Sequence, residues 1–526
     1  MRSKWWGWGP QDTRYPEELL SRTLKYLEAR GIRLQPATGI PDPPTVTASS
    51  LTQRDLEALQ AVCEIRVEDE DRLVHSLGKS YVDVILARTG EVPSFTDAVA
   101  YPQAVREVAG LLRVAAARGL AIVPFGGGTS VLGGVSPLRG NHRAVLTVDL
   151  RRLNRVLEVD EESGLARIEA GIGGPDLEAD LEGRGLTLGH YPQSFHFSTL
   201  GGWIATRSAG HASGRYGRIE NVVQALTAVT PSGEVRTTEA PARATGPELR
   251  ELFLGSEGRL GIIVEAVVRV HPRPEVRVGR GFLLPSFPQA LNRCRSMIQE
   301  DIRPATVRVS NAEETRALMA SRGLKSQDAG SFVLLEFEGT AERVPEEMGR
   351  AVDLWTEGRV WDLGREAASG WEEEYYRAPY LRDDLLERGL LVETFETATT
   401  WSNLETLYAG VKEAAEGTYE ATGGPGVVLC HLSHAYWDGA SLYFTLLTAR
   451  VAGEEMAQWR ALKEAATEAI LDLGGTLSHH HGIGVDHLQW MERELGPVGI
   501  QALGALRASL DPRGVMNPGK VWRDRS

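Results

Sequence analysis

The chain has 526 residues, too many for a single hydrophobic core, so two or three domains are expected. Its 57 Lys and Arg against 71 Asp and Glu give a formal charge of −14 with no long basic run, which argues against nucleic acid as a partner. Three scattered cysteines, Cys63, Cys294 and Cys430, form no disulfide framework or metal-ligand spacing and point to a reducing compartment. No stretch reaches the ~18 apolar residues of a membrane span. The first ten residues carry no signal-peptide core, and the last three, Asp-Arg-Ser, are not the peroxisomal Ser-Lys-Leu address, so a cytoplasmic protein is expected.

Residues 1–91 read as a polar, mostly helical segment. Helical patterns cover 17–30, 55–63 and 71–86, with a Pro-rich linker at 36–44. Trp5, Trp6 and Trp8 are read as anchors packed onto the main body, ahead of the alternative of lipid contact. Residues 92–273 alternate helices and strands. A helix over 102–118 ends at Gly119, a short apolar strand covers 120–124, and further strands are expected at 144–149, 164–170, 225–230, 234–238 and 260–271. This pattern predicts an α+β domain with a mixed sheet rather than a doubly wound one. Residues 274–450 form a second domain, with strands at 306–310, 331–338, 390–401 and 442–448, whose sheet turns its open face toward the first domain. Residues 451–526 return to helices. A strong amphipathic pattern over 454–473 precedes the loop LSHHHGIG and the turn-rich tail DPRGVMNPGKVW.

Three Gly, Ser and Thr turns stand out in the first domain. The stretch PFGGGTS (124–130) follows its strand directly, so backbone N–H groups freed of Cβ atoms can approach an anion and Thr129 and Ser130 add hydroxyl donors. No Gly-Lys-Ser/Thr follows, so it is not a P-loop, and Val131 stands where a Rossmann fingerprint needs its third glycine. The stretch YPQSFHFSTLGGWIATRSAGHASGRYG (191–217) repeats the same chemistry. A third turn, EGRLGII (257–263), leads straight into a strand. Three such turns in one domain suit a pocket for a flat, polar ligand carrying a diphosphate.

Together these turns resemble the FAD-binding domain of the vanillyl-alcohol oxidase type, a two-subdomain fold with an α+β cap whose sheet lies over the flavin. The resemblance implies that Pro124, Phe125, Gly126, Gly127, Gly128, Thr129 and Ser130 hold the diphosphate. It assigns the isoalloxazine and ribityl chain to Gln193, Ser194, Phe195, His196, Phe197, Ser198 and Thr199, and to Thr206, Arg207, Ser208 and Ala209. Glu257, Gly258, Arg259, Leu260, Gly261, Ile262 and Ile263 complete the implied site. The first loop lacks the histidine that attaches FAD covalently in many members, so FAD bound without a covalent link is expected.

The resemblance narrows to the alkyldihydroxyacetonephosphate synthase family. LSHHHGIG is similar to its histidine-triplet motif; Tyr380-Leu381-Arg382-Asp383 followed by Val392-Glu393-Thr394-Phe395-Glu396-Thr397 is similar to its IRD…ESFET pattern; Pro304-Ala305-Thr306-Val307-Arg308 and the opening Lys4-Trp5-Trp6-Gly7-Trp8-Gly9 also resemble it. Heavy use of Arg and Ala over Lys fits a bacterial member. The resemblance implies a net non-redox exchange, in which the acyl chain of 1-acyl-dihydroxyacetone phosphate is replaced by a long-chain fatty alcohol through an adduct on flavin N5. Carried over by motif, Tyr436 transfers the C1 proton with His479, His480 and His481 supplying imidazole neighbours and phosphate contacts, Arg382 holds the leaving carboxylate, and Arg308 orients the flavin-side pocket. Lipid substrates, peripheral membrane contact and a homodimer are expected, and no metal. Two departures touch the site: Trp437 puts a bulky ring beside Tyr436, and Gln193 stands where the family has Asp. The rival reading is an FAD-dependent 2-hydroxyacid dehydrogenase or alcohol oxidase. It shares the Asn517-Pro518-Gly519-Lys520 ending, but its metal site would need a second histidine where Leu442 stands and a glutamate where His480 stands, beside His434.

Overall fold

A computed structural model describes residues 4–323, 330–422 and 424–523. The terminal Asp-Arg-Ser lies outside them. Three sheets organise the chain. The first has four strands in the order Glu64–Arg66, Ala98–Tyr101, Ala144–Asp149, Leu120–Phe125, the last three running parallel. Ala144–Asp149 is buried at every position, as expected of a parallel strand covered on both faces. The helix Val105–Arg118 closes on Gly119 in the left-handed conformation, φ +65°, and the chain turns at once into Leu120–Phe125. The second sheet is antiparallel, ordered Val156–Asp160, Leu165–Glu169, Ile262–Arg269, Val223–Thr230, Gly233–Arg236.

The third sheet has seven antiparallel strands, in the order Trp361–Gly364, Val276–Leu284, Ser331–Gly339, Thr306–Ser310, Gly426–Ala435, Gly439–Ala449, Leu390–Thr400. Three of these, Val276–Leu284, Trp361–Gly364 and Gly426–Ala435, escape the sequence reading. The first carries Gly279 and Gly281, where a Cβ would come within 2.6 Å of Ala368 and Ala367; glycine there marks the close approach of a 3-10 turn, not a weak strand. The single helix expected over 71–86 is two, Asp69–Val74 and Tyr81–Thr89, because Ser80 and Asp83 form a capping box that starts the second.

The terminal segments are not appendages. Glu64–Arg66, inside the expected helical leader, is the edge strand of the first sheet. Met516 bridges Ile122 at that sheet's opposite edge, so the tail returns to the first glycine turn. Trp5, Trp6 and Trp8 are buried. The Trp8 N–H donates to Asp383 at 2.6 Å and the Tyr15 N–H to Asp384 at 3.0 Å. These carboxylates sit next to Arg382 in sequence but tie down the N-terminal strap.

Candidate active site

A cavity of about 490 Å³ lies between the glycine turns and the cap sheet. Its floor is built by backbone approach. A Cβ on Gly127 would lie 1.8 Å from the Phe197 carbonyl oxygen, and one on Gly126 would lie 2.3 Å from Thr199 Oγ1, so the first and second turns touch only because side chains are missing. Gly258, at φ +78°, packs its backbone on Pro124 and brings in the third turn. Among the described residues, the N–H groups of Gly126 to Ser130 find no acceptor in the chain, and the loop lines the cavity. Such a cradle of free donors and positive-φ glycine fits a diphosphate, and the small residues above it fit a flat ring system, as FAD would need.

On the cavity wall the structure places Pro124 to Ser130, Gln193, Ser194, Ser198, Thr199, Thr206, Ser208, Ala209, Glu257, Gly258 and Gly261 to Ile263. It places the rest of the expected cofactor set elsewhere. Phe195 and Leu260 are core residues of the second sheet's cluster. Phe197 presents its backbone to Gly127 and its ring to Trp8, and His196 lies edge-on to Tyr376. Arg207 pairs with Glu251 at 2.9 Å. Arg259 is buried under Trp522 and donates to the Met516 carbonyl at 3.2 Å, fastening the tail. Ser, Thr and Gly density located the loops; it could not say which side chains within them turn back into the core.

The ceiling is the cap sheet. Alternate residues of neighbouring strands face the cavity: His431 and Ser433, Tyr443 and Thr445, Val392 and Thr394. His431 pairs with Tyr443, and Tyr443 with Glu396. Four residues along its strand from Tyr443, or ~13 Å at strand rise, Leu447 pairs with Val392. The wall beyond is mainly apolar: Leu318 and Ala317 from the helix Ala312–Ser321, Leu381 and Leu385 from Trp371–Glu387, and Leu27 from Glu17–Ala29, with Thr23, Tyr26 and Ser321 among them. One cavity thus runs from a polar end to an apolar one.

The histidine triplet is held by two carboxylates. Glu396 accepts from the N–H groups of His479, His480 and His481 and from Ser478 Oγ. Glu257, at φ +45°, accepts from the N–H groups of Ile483 and Gly484, linking the third turn to the triplet loop. Burial pushes the Glu257 carboxyl up to about 7. His480 and His481 line the cavity; His479 and Tyr436 lie behind them. Tyr436 Oη is 2.6 Å from His479 Nε2, and burial raises this phenol to about 12. Burial also drives His479 and His480 well below the usual imidazole range. Their imidazoles are neutral near pH 7, so they do not offer Tyr436 the positive charge a phenolate would want. Trp437 is 59% exposed and crowds nothing at the site.

Tyr15, Tyr26, Tyr375 and Tyr443 all line the cavity, and the phenol packed against the triplet loop is Tyr443, which the motif comparison passed over. It is stacked on His431 at 5.1 Å and edge-on to His481 at 5.5 Å, and burial raises it above the ordinary phenol range. Period-2 alternation with Thr445 and Leu447 was the available signal. Arg382 and Arg308 both reach the wall. Arg382 donates to the Lys79 carbonyl at 2.7 Å, and Arg308 pairs with Glu314 at 2.9 Å, which also meets His431 Nδ1 at 3.0 Å. His434, His479 and His480 bring ring nitrogens within 4.8 Å of one another. His479 Nε2 meets Tyr436 Oη and its Nδ1 meets His480 Nδ1, while His434 Nδ1 lies 2.8 Å from Ser433 Oγ and its Nε2 lies 3.3 Å from the Gly210 carbonyl oxygen.

Glu396→Ala leaves the N–H groups of His479, His480 and His481 unpaired, at a cost of about 1–3 kcal/mol for the buried one at His479 and less for the other two. The expected result is a lower thermal midpoint and lost turnover with flavin still bound, read by calorimetry and visible absorbance.

Residues 96–239 match the model of the FAD binding domain, and residues 273–521 that of FAD linked oxidases, C-terminal domain. The chain is 34% identical to the alkyldihydroxyacetonephosphate synthase of Dictyostelium discoideum over 89% of its length and 80% of that protein's. It is 32% identical to the one of Trypanosoma brucei brucei over 98% and 92%. A solved alkyldihydroxyacetonephosphate synthase superposes with a TM-score of 0.85 at 30% identity, covering 99% of each chain. At these identities over nearly its whole length, the chain belongs to the alkyldihydroxyacetonephosphate synthase family.

Proposed function

We propose that this protein makes ether lipids with FAD and no net redox change, exchanging the acyl chain of 1-acyl-dihydroxyacetone phosphate for a long-chain alcohol. The observation that carries this reading is the single cavity with a polar end at the glycine turns and an apolar end at the helices Glu17–Ala29 and Ala312–Ser321. A small hydroxyacid would leave the apolar half unfilled; a lipid with a phosphorylated head fills both.

Bound FAD would supply covalent catalysis that divides the exchange into two displacements. The chain's own residues supply the rest. The Gly126–Ser130 backbone orients the cofactor's anionic part. The free edge of the Arg382 guanidinium faces the departing carboxylate. His480 and Tyr443 are the proton-handling pair on the wall: a neutral imidazole accepts the C1 proton while the neutral phenol donates a hydrogen bond to the adjacent substrate oxygen. The pair Arg308–Glu314 fixes His431, on which Tyr443 stacks. Peripheral membrane contact belongs to this reading because both substrates are lipids; no described helix is long and apolar enough to cross a membrane.

Incubation with palmitoyl-dihydroxyacetone phosphate and hexadecanol should yield the ether and free palmitate without peroxide, read by mass spectrometry. Flavin bleaching by lactate or glycolate, with no ether, would sink the proposal in favour of a dehydrogenase. Ala317→Trp, which fills the apolar end, should raise KM for C16 chains about tenfold or more while sparing C8 chains, since each methylene left in water costs ~0.8 kcal/mol.

A further inference from the structure

Lys79 stands outside every motif in the sequence, yet it joins the two halves of the site. Its N–H donates to the Ser130 carbonyl at 2.6 Å, and its own carbonyl accepts from Arg382 Nη1 at 2.7 Å. Ser130 lies in the first glycine turn, Arg382 on the helix Trp371–Glu387, and both line the cavity. One backbone residue of the N-terminal segment therefore spans the gap between the cofactor cradle and the guanidinium. Gly78 makes the approach possible: a Cβ there would lie 2.7 Å from the Ser130 carbonyl oxygen and 2.8 Å from Asp83 Oδ2. Lys79 Nζ donates to the Lys4 carbonyl at 3.1 Å, and Asp383, the neighbour of Arg382, accepts from the Trp8 N–H at 2.6 Å. The contacts close a ring from Lys79 to the cap helix, to the N-terminal strap and back to Lys79. Arg382 Nε reaches the Val392 carbonyl at 3.4 Å, and its Nη2 meets no acceptor among the described residues.

We propose that Lys79 is a positioning residue that links the seating of the first glycine turn to the aim of Arg382, so that cofactor and substrate carboxylate bind cooperatively. The proposal rests on the ether-lipid reading for the carboxylate. With the N–H groups of Gly126 to Ser130 engaged by an anion, the turn is held and the Ser130 carbonyl with it. That carbonyl holds Lys79, and the Lys79 carbonyl holds one edge of the guanidinium. Because the fork is planar, fixing Nη1 and Nε also fixes the direction of Nη2. A carboxylate on Nη2 acts back along the same contacts and steadies the turn. Linkage makes the effect equal in both directions. The arrangement explains why the N-terminal segment enters between the two domains at a glycine that has no room for a side chain.

The test follows flavin release from the holoenzyme by fluorescence, with and without saturating palmitate, whose binding is checked by calorimetry. Wild type should release flavin about tenfold more slowly with palmitate, within the usual range of coupling between sites. Gly78→Ala drives a methyl against the Ser130 carbonyl. It should purify with flavin and bind palmitate, yet release flavin at one rate with or without it. Should that variant fail to fold, Lys79→Pro removes the N–H donor and carries the same expectation. Ser80→Ala breaks the capping box of the helix Tyr81–Thr89 without touching either Lys79 hydrogen bond. It should lower the thermal midpoint and keep the tenfold effect; losing the effect there overturns the proposal. A palmitate chain that merely blocks the exit would slow release equally in wild type and Gly78→Ala, and that result overturns it too. So does a wild type whose flavin release palmitate leaves unchanged. An enzyme that makes ether without this coupling keeps the functional reading and loses the Lys79 link. One that shows the coupling and makes no ether keeps the link and sinks the functional reading.

Discussion

Gly127→Ala is expected to give a colourless, inactive protein. The added methyl would sit 1.8 Å from the Phe197 carbonyl oxygen, 2.6 Å from its carbon and 3.0 Å from Ser198 Cα. All three are backbone atoms, so no rotamer change relieves the clash, and the first two turns must part where the cofactor's phosphates would be held. Gly183→Ala is the matched control. Gly183 has helical φ/ψ, −58° and −13°, and a Cβ there meets nothing closer than 3.7 Å. The ratio of flavin to protein absorbance after purification should fall to near zero for Gly127→Ala and stay at the wild-type value for Gly183→Ala. Flavin retained in Gly127→Ala would mean that this cradle does not hold it.

His480→Asn and Tyr443→Phe are each expected to lower kcat/KM by about 10²–10⁴-fold, the range for a positioned general acid or base. Flavin content should remain that of wild type, because neither side chain belongs to the glycine turns. The double variant should lose little beyond the worse single one, since a pair acting on one proton fails as a unit. Both residues are half-buried at the cavity wall and neutral near pH 7, with His480 well below and Tyr443 above their ordinary ranges. Neither residue should therefore contribute a titration to the turnover profile in the region in which a free histidine titrates, near 6.5. A Tyr443→Phe enzyme of normal kcat would exclude this phenol from the chemistry.

The fold was readable where local chemistry is unambiguous. Gly119 ending a helix before an apolar run marked the strand that enters the cradle, and the nearly continuous apolar run after Leu260 marked the strand Ile262–Arg269. Where glycine interrupts a strand for packing reasons, as at Gly279 and Gly281, the same local rules lost it. The choice of phenol failed for a different reason. Tyr436 and Tyr443 both flank the turn joining Gly426–Ala435 to Gly439–Ala449, and a bulge between Leu432 and His434 breaks the alternation that would have told which side faces the cavity.

The sequence by itself determined that three Gly, Ser and Thr turns share one domain, that the first of them contains no histidine, and which family the ordered motifs resemble. These are matters of residue identity along short stretches, carried by residues close together in the chain. Only the tertiary structure decided what the motifs do to one another. The Glu396 carboxylate binds N–H groups more than eighty positions away, Glu257 ties a glycine turn to the triplet loop, and the N-terminal helix closes the apolar end of the cavity. Such contacts join residues distant in the chain, and side-chain direction across them depends on strand register and bulges that no local pattern encodes.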